Sequence, residues 1–90
     1  MSVTIDAHYF IPSLTNDRDI IEVKGSTVGK CFEQLITMYP KVKDWLIGKD
    51  DKISNVVEVY VNQDSVQPEG LARQVKDGDV IYIVMMISGG

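Results

Sequence analysis

One cysteine and one histidine in 90 residues leave this chain without much of the chemistry small proteins often rely on. A lone Cys31 cannot close an internal disulfide, and with His8 it falls short of the ligand count of a structural zinc site. Positive charge is scarce too: nine Lys and Arg stand against thirteen Asp and Glu, for a net charge of −4. Nucleic-acid binding needs a basic surface to neutralise phosphates, so that class is excluded. An acidic chain suits docking onto a basic surface of another protein. No apolar run approaches the roughly 18 residues that mark a membrane-spanning helix. The opening MSVTIDAHYFI alternates and lacks a basic flank with an apolar run, so it does not read as a secretory signal. The expectation is a cytoplasmic protein that binds neither membrane nor nucleic acid. The acidic residues show no paired spacing, so no carboxylate dyad is predicted.

What is present fits one domain, residues 1–90, with one core. Apolar residues make up 44% of the chain, and a domain this small must spend most of them on packing. Little is left for a buried catalytic site. Val3, Ile5, Ala7, Tyr9 and Ile11 alternate with Thr4, Asp6, His8 and Phe10, the period of a half-buried strand. Turn residues 12–17 and a short strand, Ile20 to Lys24, complete an antiparallel hairpin. Val28, Cys31, Phe32, Leu35, Met38 and Tyr39 then recur at three and four, predicting an amphipathic helix capped by Ser26 or Thr27 and ended by Pro40. Val42, Trp45 and Leu46 suggest one helical turn over the core's edge. Val56 to Val61 reads as a strand, Leu71 to Val75 as a short strand or turn, and Lys76-Asp77-Gly78-Asp79 as a tight turn. Val80 to Ile87 forms the last strand. One helix across a mixed sheet of four to five strands is an α+β layering. A last strand parallel to the first in mid-sheet, the β-grasp arrangement, explains why these two segments are the most apolar.

Gly25-Ser26-Thr27-Val28-Gly29-Lys30-Cys31 invites comparison with a phosphate-binding loop, but it has three residues where that motif needs four, and Cys31 where it needs Ser or Thr. It reads instead as a capped helix start. Cys31 lies on the helix's apolar stripe and is predicted to act as a small hydrophobe. His8 is predicted to be a solvated surface residue. The segment with distinctive chemistry is the end of the chain, where Ser88-Gly89-Gly90 follows the last strand with almost no linker. Without Cβ atoms such a backbone can pass into a narrow channel and approach a nucleotide closely. A free carboxylate is a poor acyl donor; adenylation supplies a leaving group, and a sulfur nucleophile can then attack the Gly90 carbonyl.

The chain resembles the ubiquitin-like sulfur-carrier family that includes MoaD and ThiS. The resemblance is carried by the strand-hairpin-helix opening with Thr27-Val28, by Val59-Tyr60-Val61-Asn62, by Lys76-Asp77-Gly78-Asp79-Val80, and by the final Ser88-Gly89-Gly90. The longer stretch from Lys41 to Asn55 is closer to MoaD-type than to ThiS-type chains. The resemblance implies a ubiquitin-like β-grasp fold and a protein substrate that is not itself an enzyme, at most the small subunit of a synthase complex. It further implies that an adenylyltransferase of the ubiquitin-activating type, using ATP, adenylates Gly90. A thiocarboxylate then forms and donates sulfur in molybdopterin-like or related biosynthesis. Gly89, Ser88 and Ile87 would enter the partner's active site, residues 88–90 forming a flexible tail, with no cofactor or metal held by the carrier.

One more expectation comes from the last strand. With Ile81, Ile83 and Met85 toward the helix, Tyr82, Val84 and Met86 face outward, where a solvated sheet is normally polar. They are predicted to form a partner-binding face. Two other readings share these features: a ubiquitin-like modifier joined through Gly90 to lysines, and a β-grasp binding module with no tail chemistry.

Overall fold

The computed structural model describes residues 2–10 and 12–86. The chain runs through β1 (Val3–Tyr9), β2 (Ile20–Val23), α1 (Val28–Met38), α2 (Lys43–Leu46), β3 (Val57–Val61), β4 (Asp64–Ser65) and β5 (Val80–Met85). Short 3-10 turns occupy Pro12–Thr15, Pro40–Val42 and Gly70–Ala72. The five strands lie in the order β2-β1-β5-β3-β4. β1 and β5 pair in parallel at the centre, with Thr4 opposite Val80 and Ile5 opposite Ile81, and the other pairings are antiparallel. This is the expected β-grasp arrangement, and the two most apolar segments are each flanked on both sides.

The helix begins as its cap chemistry dictates. Thr27 is extended, and its Oγ1 accepts the Lys30 amide proton at 3.1 Å. Val28, Cys31, Phe32 and Leu35 bury the face turned to the sheet, where Ile5, Ile81 and Ile83 are fully buried in the same core. The stripe ends differently from expectation. Met38 stays 45% exposed, while Tyr39, half-buried, packs on the core. Positions four apart stack on a helix more closely than positions three apart, so Tyr39 continues the line of Leu35 and Met38 falls to its flank. The turn after Pro40 is helical as predicted. It buries Val42 and Leu46 over the core's edge but leaves Trp45 exposed. The 71–75 segment is a 3-10 turn followed by a bridge between Gln74 and Thr27.

β1 departs from simple alternation. Val3, Ile5 and Ala7 are buried, but Tyr9 is 67% exposed and Phe10 is buried. Asp6 pairs with Tyr82 and Tyr9 with Val84, so β1 advances one residue more than its partner. The extra residue is a β-bulge, which shifts the alternation by one and exchanges the faces of Tyr9 and Phe10. Ile11, expected on the inner side, lies outside the described residues.

Among the described residues no helix is long and apolar enough to cross a membrane. The loop before α1 is packed tightly. A Cβ on Gly25 would stand 2.8 Å from the Lys30 Cβ and 2.9 Å from the Cys31 amide nitrogen. Its glycine serves close packing against the helix start. Gly25→Ala is therefore expected to destabilise the fold by about 1–3 kcal/mol, read as a lower urea midpoint with an unchanged m-value; an unchanged midpoint contradicts the packing argument.

Candidate functional site: the open sheet face and the strand that presents the tail

The strand leading to the C-terminal residues is held firmly at its start. The Lys76–Asp79 turn sets Gly78 at φ +89°, which glycine adopts freely. Asp79 is buried, and its carboxylate accepts from the Lys76 amide at 2.9 Å and from the Asn62 side-chain amide at 3.2 Å. Asn62, at φ +57°, also takes the Val80 amide proton on its Oδ1 at 3.1 Å and donates its own backbone N–H to the Val80 carbonyl at 2.7 Å. The end of β3 is thereby stapled to the beginning of β5. The Lys76 amide is the main reason the Asp79 carboxyl sits below its ordinary value of 3.8; burial opposes that shift and the Asn62 amide adds to it. On the other flank, Gly78 donates to the Ser2 carbonyl at 2.9 Å and Ser2 donates to Asp77 at 2.7 Å.

β5 then stays paired along its length. It faces β3 from Val61–Ile81 through Val57–Met85, and the Met86 amide bonds the Val56 carbonyl at 2.8 Å. Pairing therefore persists up to the residue before Ile87. The sites expected at Gly90, Gly89, Ser88 and Ile87 lie outside the described residues.

The helix covers only one side of the sheet. On the other side, the register places Asp6, Tyr82 and Tyr60 in one row and Tyr9, Val84 and Glu58 in the next. Ile20 continues the first row on β2, and Val56 and Met86 extend the face beyond the second. Ile81 and Ile83 are buried and Met85 packs on the core from the inner side, as expected. Tyr82 and Val84 are half-exposed and Met86 is 44% exposed, so the three predicted residues do share the open face. Tyr9, Ile20, Tyr60 and Val56 enlarge it, and sequence reading had not grouped them there. Simple alternation groups Tyr9 with Val3, Ile5 and Ala7, and the bulge that turns it outward leaves no mark in the hydrophobic pattern. Tyr60 was recoverable, since it alternates with the inward Val59 and Val61.

Polar groups border this apolar surface. The Tyr60 hydroxyl donates to the Glu58 carboxylate, and that neighbour raises the phenol above its usual range, keeping it a donor. The Asp6 carboxylate accepts the His8 amide proton at 3.0 Å. His8 itself is exposed, edge-on to Tyr9, with its Nδ1 3.4 Å from Asp19. Cys31 is fully buried, and burial pushes its thiol up, so it is a packing residue. Among the described residues no group of three or more His, Cys, Asp and Glu side chains is placed to hold a metal ion.

The model of the ThiS family matches residues 11–90. The sulfur carrier protein CysO of Mycobacterium tuberculosis is 27% identical over 93 residues, with both chains covered completely. A chain of the Amycolatopsis orientalis BexX/CysO complex superposes with a TM-score of 0.88 at 29% identity, covering 98% of this chain and 99% of that one. The small archaeal modifier protein 1 of Methanosarcina acetivorans shares the fold, with a TM-score of 0.82 at 22% identity over 99% and 96% of the two chains.

Because the Asp79 carboxyl is lowered in the folded protein, its contribution to stability is present above the unfolded-state value and is lost as pH falls through the folded one. Asp79→Asn is accordingly expected to cost about 1–3 kcal/mol at neutral pH. The gap to the native protein should close below about pH 4, as followed by urea unfolding across pH. A gap that persists unchanged to pH 2 would refute this role.

Proposed function

Since the chain belongs to the ThiS family, the ubiquitin-like sulfur carriers, we propose that it carries sulfur as a thiocarboxylate on Gly90. The observation that supports this most directly is the family match, which extends through Ser88-Gly89-Gly90 and includes the strand that leads to them. A Gly90 carboxylate oxygen attacks the α-phosphorus of ATP on a partner adenylyltransferase, and pyrophosphate leaves. A sulfide-level nucleophile then adds to the acyl carbonyl and AMP leaves, giving the thiocarboxylate. Transfer of that sulfur to an acceptor enzyme, followed by hydrolysis, restores the carboxylate. The carrier's own part is presentation. β5 is bonded on both edges and so is a fixed strand up to Met85, and glycine at 89 offers no side chain to obstruct a narrow channel. The likeness to CysO along both whole chains favours an acceptor of the kind CysO serves over a molybdopterin synthase.

Incubation with the adenylyltransferase of the same organism, ATP and sulfide should raise the intact mass by about 16 Da, one oxygen exchanged for sulfur. Removal of Gly90 should abolish the gain. An unchanged mass with the native chain overturns the reading, and Gly-Gly remnants on lysines of other proteins point instead to a modifier.

The open face is the surface that docks the activating enzyme in this reading. Tyr82 and Val84 lie at its centre, on the strand leading to the tail. Replacing either with Asp places a charge in a desolvated contact. Affinity for that enzyme, measured by calorimetry, is expected to fall at least about tenfold while the circular dichroism spectrum is preserved. Equal affinity would remove this face from the interface.

A further inference from the structure

The open face carries more information than its apolar area. Each flank of β5 presents one tyrosine and one carboxylate: Asp6 and Tyr9 on β1, Glu58 and Tyr60 on β3. The order is reversed between the flanks. Asp6 shares its row with Tyr60, and Tyr9 shares its row with Glu58, with β5 in between. Strands lie roughly 4.8 Å apart, so the two flanks are about 10 Å from each other.

Both carboxylates are held in place yet left electrically unmatched. Asp6 uses Oδ1 to accept the His8 amide, and Glu58 uses Oε2 to accept the Tyr60 hydroxyl. Each keeps its second oxygen without a hydrogen bond among the described residues, and neither joins an ion pair there. No Lys or Arg occurs at the outward positions 4, 6, 58, 60, 80, 82 and 84 of the central strands or at Ile20 and Glu22 of β2. Covering such a face with an apolar partner alone would strip water from two charges and give nothing back. A second copy of this chain is a poor occupant, because it would set carboxylates against carboxylates.

Resting on the reading that this face docks the activating enzyme, we propose that it recognises arginine side chains set in an apolar surface of that partner, each guanidinium seated between a tyrosine ring and a carboxylate. Guanidinium fits both halves of each flank. It is planar and weakly hydrated, stacks on a tyrosine face, and hydrogen-bonds a carboxylate with fixed geometry. A lysine ammonium is compact and strongly hydrated, and gains less from the ring. Tyr60 acts here as a positioning residue: its hydroxyl orients Glu58 for the incoming group.

The test uses the full chain and its adenylyltransferase, with affinity measured by calorimetry from about 0.05 M to about 0.5 M salt. The double variant Asp6→Asn/Glu58→Gln keeps shape and removes both charges. It should bind about tenfold more weakly at low salt and show a flatter salt dependence than the native chain. Tyr60→Phe should bind about threefold more weakly, with the loss shrinking when Glu58 is also replaced by Gln. Blocking arginines of the enzyme with phenylglyoxal should abolish binding, with protection by prior complex formation, whereas reductive methylation of its lysines should not. If the double variant binds like the native chain at every salt concentration while Tyr82→Asp does not bind, the face docks the enzyme but the arginine inference falls. Loss of binding on lysine methylation alone also overturns it. If Tyr82→Asp binds normally as well, the docking reading itself has failed.

Discussion

The parallel pairing of β1 with β5 is the contact on which the rest of the molecule depends. It joins Thr4 to Val80, nearly the whole length of the chain apart, and closing so long a loop costs chain entropy. The intervening segment supplies what each strand still lacks. β2 covers the outer edge of β1, β3 covers that of β5, and α1 lies over the apolar side of the pair. Ile5, Ile81 and Ile83 are fully buried because two strands at the centre of a sheet, under a helix, have no route to water on that side. Contacts of such long sequence separation carry a loop-closure cost that the local hairpin and helix do not.

The same constraint divides the surface into two kinds. The helical side is closed by its own packing, down to a glycine at 25 where even a methyl group would collide with the start of α1. The other side has no covering element among the described residues, and it is neither conventionally polar nor uniformly apolar. Its apolar strip runs along β5, with carboxylates on either side. The strip and the end of the last described strand therefore lie on one side of the molecule.

Much of this was legible in the residues. The helix was readable because Val28, Cys31, Phe32 and Leu35 repeat with its period, and the outward direction of Tyr82 and Val84 followed from strict alternation along β5. The family resemblance rested on short motifs in a fixed order, each weak alone. What could not be read were features set by pairing between strands. The bulge between Asp6 and Tyr9 exists only relative to β5, so alternation placed Tyr9 inside and Phe10 outside, the reverse of their positions. The Asn62–Asp79 staple joins residues seventeen apart through a left-handed turn residue, and neither end announces the other. Trp45 and Met38 have the spacing of core residues, but Val42 and Leu46 take the buried side of one turn and Leu35 and Tyr39 that of the other, leaving both exposed.

Parallel central strands also have a directional consequence. Because β1 and β5 run the same way, Ser2 is tied to the turn at Asp77 and Gly78, where β5 begins. The departing end of β5 lies six strand residues further on, about 20 Å away. A fluorophore, affinity handle or fused domain attached ahead of Ser2 therefore sits at the opposite pole of the sheet from Met85, where β5 ends. The molecule can be tethered, tracked or immobilised at the Ser2 pole without touching the far end of β5.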